Sequence, residues 1–187
     1  MTKNLLDVGC FDNKYDLLKF SANLAKIDGL WLEFGVFKGS TINYISKIKF
    51  NKTIYGFDSF EGLPENWRGR IVEGTFALSK KPRVNKNVKL VEGWFDNSLP
   101  LFCQENEGPI SFLHIDCDLY SSTKTVFDNL KDRISQGTVI VFDEFFNYFG
   151  WEKGEYKAFI ELTKSESLNF RYIGYCYSGE QVAVIIE

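Results

Sequence analysis

A doubly wound α/β fold with a mostly parallel sheet is predicted by three features of the 187-residue sequence. Short apolar runs rich in β-branched and aromatic residues alternate with helical patterns. Those runs are near-continuously apolar, as expected of strands covered on both faces. The last two runs are parted by Gly179 and read as a closing antiparallel hairpin. A composition of 44% hydrophobic and 25% charged residues is that of a globular chain, and the length suits one domain spanning 1–187.

The elements follow in order. Residues 1–28 form an N-terminal helical segment, with its helix over Tyr15–Ile27. Five strands come next: GLWLEFGV (29–36), TIYGFD (53–58), VKLVEGWF (88–95), ISFLHID (110–116) and TVIVFDE (138–144). Helices are expected over Gly39–Ile48, Asn97–Glu107, Ser121–Ile134 and Trp151–Leu168. FRYIGYCYS (170–178) and EQVAVIIE (180–187) make the hairpin. The connection 59–87 is long for a crossover, is basic and carries Phe60, Trp67 and Phe76. It reads either as a substrate lid or as a decorated helical crossover.

Charge and cysteine usage exclude several functions. Lys plus Arg number 22 against 25 Asp plus Glu, a net charge of -3, which leaves no electrostatic footprint for nucleic acid or an anionic membrane. The apolar runs are too short and too interrupted by acids to span a bilayer, and the first residues lack the pattern of a secretion signal. Cys10, Cys103, Cys117 and Cys176 form no CxxC pair, so reduced thiols in a cytoplasmic protein are expected. The 18 Phe, 9 Tyr and 4 Trp suit either a large core or an aromatic-walled pocket.

On a doubly wound sheet, ligands bind beyond the carboxyl ends of the strands, where the strand order reverses. Four of the five runs end at or beside an acid: Glu33, Asp58, Asp116 and the pair Asp143–Glu144. In EFGVFKGST (33–41), Gly35 and Gly39 allow a sharp strand-to-helix turn with close backbone approach. Position 37 is Phe, so the GxGxxG dinucleotide fingerprint is broken, which argues against a nicotinamide-dependent dehydrogenase. LLDVGC (5–10) is a weaker glycine turn without a following acid-tipped strand. Asp58, at the tip of the next strand, is placed to accept both hydroxyls of a ribose. Gly93, Trp94 and Phe95 in EGWFD suit an adenine wall or a core terminus alike. Asp116 and Asp143 end strands about one β–α–β unit apart and can converge; with Glu144 they form an oxygen donor set that favours Mg²⁺ over zinc, or else are solvated loop acids. His114 shares a face with Asp116 and serves as a base, an orienting group or a core histidine. Asp118 is a candidate for proton removal.

EFGVFKGST, YGFDSFEGLP, EGWFDNSLP, HIDCDLYSST and FDEFF, followed by GWEKGEYKAF, together resemble the class I S-adenosylmethionine-dependent methyltransferases, and within them the macrocin O-methyltransferase family that acts on antibiotic sugars. The resemblance runs from about residue 29 to 160. It implies a Rossmann-like sheet and cofactor contacts at Glu33, Gly35, Gly39, Ser40, Thr41, Asp58, Gly93, Trp94, Phe95 and Asp116. It also implies Mg²⁺ on Asp116, Asp143 and Glu144, although position 144 is Asp in many relatives. Methyl transfer to a hydroxyl of a sugar or small polyol is then expected, with Asp116 or Asp118 taking the proton. A metal-independent N- or O-methyltransferase and a non-catalytic cofactor-binding module are the alternatives. A homo-oligomer is compatible with the sequence, and an N-terminal segment of larger relatives is expected to be absent.

Overall fold

The computed structural model describes residues 8–187. Its strands are β1 (Gly9–Phe11), β2 (Leu30–Phe34), β3 (Ile54–Asp58), β4 (Val88–Glu92), β5 (Ile110–Ile115), β6 (Val139–Phe142), β7 (Phe170–Cys176) and β8 (Val182–Ile186). Its α-helices are α1 (Lys14–Leu24), α2 (Ser40–Ile48), α3 (Phe95–Glu105), α4 (Tyr120–Leu130) and α5 (Glu155–Ser165). One sheet joins the strands in the order β1-β7-β8-β6-β5-β2-β3-β4, parallel except where β8 runs against β6 and β7. The doubly wound, mostly parallel sheet and the C-terminal hairpin are as expected. Among the described residues, no helix is long and apolar enough to cross a membrane.

Strand alternation sorts the core into two layers. Leu32, Phe34, Phe57 and Phe142 face α3, α4 and α5, where Phe102, Phe127 and Phe159 meet them. Trp31, Phe112, Val139 and Val141 face α1 and α2, against Leu17, Leu18, Ile42 and Ile45. Much of the unusual phenylalanine content is therefore core: seven of the 18, Phe34, Phe57, Phe112, Phe127, Phe142, Phe145 and Phe159, are fully buried. Each such ring contributes roughly 2–3 kcal/mol of burial.

Element edges moved where local chemistry intervened. The first predicted strand stops at Phe34 because Gly35 takes φ 91°, a left-handed backbone. A Cβ on Gly35 would lie 1.7 Å from the Asp116 carbonyl oxygen, so only glycine lets β2 and β5 close together there. The helix expected to begin at Tyr15 begins at Lys14, where the Asn13 side chain accepts from the amides of Tyr15 and Asp16. The weaker glycine turn at 5–10 falls partly outside the described residues, and its remainder enters β1, an edge strand that pairs in parallel with β7.

The connection 59–87 contains neither helix nor strand, so it is no helical crossover. It folds on itself through Leu63 N to Thr75 O and Gly74 N to Leu63 O, both 2.9 Å. At its end, Asn87 Nδ2 donates to the carbonyls of Ser46, Lys49 and Lys52 at 3.0–3.2 Å, satisfying acceptors left over at the end of α2.

Candidate active site

The strand order reverses between β2 and β5, and a cavity of about 880 Å³ opens beyond their carboxyl ends. One wall is the β2–α2 turn, with Gly35, Val36, Phe37, Ser40 and Thr41 on the cavity. Asp58, at the tip of β3, holds that turn: Oδ2 accepts from Val36 N at 2.9 Å and Phe37 N at 2.7 Å, while Oδ1 accepts from Phe60 N at 2.7 Å. A carboxylate offers about four lone-pair directions. With three taken, Asp58 retains room for one ligand hydroxyl rather than the two expected. Trp94, Phe95 and Asp96 close the wall at the start of α3. Phe37 and Phe76 both have left-handed backbones and meet edge to face at 5.4 Å, tying the turn to the 59–87 segment. Such strain costs on the order of 1 kcal/mol per residue and tends to collect at functional sites.

Below this wall lies a buried polar pair. Glu33 and His114 are register partners on β2 and β5 and share the α1/α2 face, both fully buried. Glu33 accepts from the Thr41 hydroxyl at 2.9 Å and pairs with His114 Nδ1 at 2.9 Å. Glu33 does not border the cavity; it braces the first turn of α2 from beneath. Gly39 and Gly93 also lie off the cavity. Gly39 caps α2 with φ 78°, and Gly93 turns at φ 130° to donate to the Asp58 carbonyl.

The opposite wall carries Asp116, Asp118 and Glu144, while Asp143 lies off the cavity beside Asp116. Alternation along β5 and β6 sends Asp116 and Asp143 to the same face as His114, and the ladder continues through Asp143 N to Ile115 O at 2.8 Å. Asp116, Asp143 and His114 bring ligand atoms within 4.8 Å of one another. Lys14 sits against them, its Nζ 3.2 Å from both oxygens of Asp143 and 3.9 Å from Asp116 Oδ2. Burial opposes charge on Lys14, but Asp116 and Asp143 outweigh it and hold the ammonium above the ordinary lysine range. Burial alone would raise the Asp143 carboxyl; His114 and Lys14 instead pull it down to about 2. Burial also disfavours charge on His114, yet Asp143 and Glu33 push it up to about 10. Its Nε2 lies 3.9 Å from Asp143 Oδ1, a charge pair beyond hydrogen-bond length.

Glu144 also borders the cavity, but its carboxylate stands apart from the cluster formed by His114, Asp116 and Asp143. Its backbone amide donates to Glu155 Oε2 of α5 at 3.2 Å. Burial, then Asp143 and Glu155, raise the Glu144 carboxyl well above its usual range, and burial does the same to Glu155. The expected magnesium set of Asp116, Asp143 and Glu144 is therefore not assembled. What gathers is two carboxylates and an imidazole with an ammonium against them. Mg²⁺ needs those carboxylate oxygens for a near-octahedral shell completed by water, and the Lys14 ammonium already contacts both oxygens of Asp143, so the cluster as it stands does not fit the ion.

Asp118 borders the cavity with φ 64°, and burial, then Asp143, push its carboxyl up to about 7. Several bordering residues escaped the sequence reading. Lys14 and Tyr15 come from a helix distant in the chain, with no motif to mark them. Ser121 and Ser122, expected to open the helix, lie in its first turn instead: it begins at Tyr120 with Leu119 as N-cap and no side-chain cap. Arg68 projects from the 59–87 segment, donates to Glu180 at 2.9 and 2.8 Å, and lies between the rings of Trp67 and Tyr148 at 4.1 and 4.3 Å.

Residues 32–145 match the sequence profile of a family described as a methyltransferase domain. A tetracenomycin-type rhamnosyl 4'-O-methyltransferase of Streptomyces olivaceus is 22% identical over 164 residues, 71% of this chain and 60% of that protein. The chain thus spans less than two thirds of that relative's length. Among solved structures, the calicheamicin methyltransferase CalS11 is similar at a TM-score of 0.72 and 21% identity, covering 91% of this chain and 76% of its own. The O-methyltransferase NovP is similar at 0.72 and 19%, covering 92% and 78%. At these identities the likeness is one of fold: the sheet is that of a class I methyltransferase.

Proposed function

The chain belongs to the methyltransferase-domain family whose profile covers residues 32–145, and from that premise we propose that it methylates a hydroxyl of a sugar or other small polyol from S-adenosylmethionine. The observation that carries this reading is one cavity with two chemically different ends. Gly35, the β2–α2 turn, Asp58 and the Trp94–Phe95 wall suit a nucleoside. Asp118 stands on the acidic side with a carboxyl suited to proton transfer near neutrality.

Bound there, S-adenosylmethionine supplies an activated methyl group, whose bonding electrons return to the sulfur as it leaves. The chain's own residues do the rest. Asp58 takes one ribose hydroxyl while fixing the turn amides. Asp118 accepts the acceptor's O–H proton as the oxygen lone pair forms the new C–O bond. Alignment of the two partners is the larger contribution, because a well-held pair reacts as if at very high concentration. A sugar or polyol acceptor is supported by the carboxylates of Asp118 and Glu65 and the indole of Trp67 on the same cavity, which offer hydroxyl acceptors and a stacking surface. The rhamnosyl 4'-O-methyltransferase among its relatives favours the same class of acceptor.

The test is transfer from methyl-labelled S-adenosylmethionine to a panel of sugars and polyols. Methyl ethers are expected, with Asp118→Asn slowing turnover about 100-fold or more while cofactor affinity stays within a few-fold. Transfer only to amines, or an Asp118→Asn protein as fast as the native one, would refute this reading.

A further inference from the structure

Asp116 and Asp143 converge at the strand tips as if to hold an ion, yet the place beside them is taken. Lys14 opens α1, which is fixed by the Asn13 cap and by Leu17 and Leu18, both fully buried beneath it. From that anchored start its stem runs to the acids, and Nζ contacts both oxygens of Asp143 at 3.2 Å. Its side chain is 32% exposed and borders the cavity, so the ammonium faces the ligand space as well as the acids. A magnesium ion would bind about 2.1 Å from those carboxylate oxygens and would have to expel the ammonium first. Glu144, although it borders the cavity, lies outside the cluster of ligand atoms formed by His114, Asp116 and Asp143.

We propose that Lys14 is the resident cation of this site, occupying the position between Asp116 and Asp143 that a divalent metal would need, so that this chain functions without one. Toward the acceptor, the ammonium supplies a fixed positive charge near the oxygen that gives its proton to Asp118. That second role rests on the methyl-transfer reading above; the exclusion of the ion does not.

The experiment is a Mn²⁺ and Mg²⁺ titration of the full chain, followed by calorimetry and by the Mn²⁺ paramagnetic signal, on native protein, Lys14→Met and Lys14→Arg. Native protein and Lys14→Arg should show no saturable site, whereas Lys14→Met should gain one at least tenfold tighter, lost again on adding Asp143→Asn. Saturable binding by the native protein that Asp143→Asn abolishes would overturn the proposal. So would a folded Lys14→Met protein that binds no ion, or native turnover that EDTA stops and Mg²⁺ restores. Lys14→Gln makes the same comparison if Lys14→Met does not fold. Titrating S-adenosylmethionine into the same samples separates the two readings: no cofactor binding removes methyl transfer and leaves the ion result standing.

Discussion

At the scale of single residues, environment rather than identity divides the acids into roles. Asp143, flanked by Lys14 and His114, is held down to about 2 and stays charged at any working pH. Asp118 is pushed up to about 7, so it is protonated below that pH and becomes a competent base above it. The rate of methyl transfer at saturating substrates should therefore rise with pH through about 7 and then level. Asp118→Asn should abolish that limb, which a pH profile of both proteins reads directly. Asp58, Asp116 and Asp143 were legible in the sequence because an acid that closes an apolar run lies at a strand tip. Glu144 was grouped with Asp116 and Asp143 because it follows Asp143 directly, but it lies past the end of β6, where strand alternation no longer fixes a side chain's direction. Lys14 was illegible: its partner Asp143 lies 129 residues away, and only the packing of α1 joins them.

Among the elements, the contact of α5 with the end of β6 is the most chemically exposed. Glu155 is fully buried at the start of α5; its Oε1 and Glu144 Oε2 have no hydrogen-bond partner among the described residues. Burial raises both carboxyls, so the folded state holds their protons more tightly than the unfolded chain does. Stability from this source is full below the ordinary glutamate range and declines as pH rises above it, by at most about 1.4 kcal/mol per pH unit for each group. Glu155→Gln, which cannot ionise, should stabilise the protein more at pH 8 than at pH 5 in urea unfolding. An equal change at both would mean the carboxyl is not held protonated. The strand cores were legible from unbroken apolarity, and the helices from their spacing. Boundaries were not, because they depend on single backbone events such as the left-handed Gly35 and the Asn13 cap. β1 escaped because three residues carry no periodicity.

Across the whole molecule, the alternation of strands and helices announced the doubly wound plan, and the hairpin its C-terminal edge. What sequence order could not reveal is how distant segments meet over the site. Arg68 of the 59–87 connection is clamped by Glu180 of the β7–β8 turn and by the rings of Trp67 and Tyr148, forming a strap over the cavity. Arg68→Ala should free this strap, raising the acceptor KM several-fold with little change in cofactor affinity. Faster proteolytic cleavage between residues 64 and 77 would accompany it, and unchanged cleavage would mean the strap is held elsewhere. The central claim, that the crevice between β2 and β5 is a nucleoside-sulfonium site governed by Asp58, is tested most directly by calorimetric titration with S-adenosylmethionine. Saturable one-to-one binding that weakens at least tenfold in a folded Asp58→Asn protein is the predicted result; a native protein that takes up none of it at millimolar concentration would contradict the account.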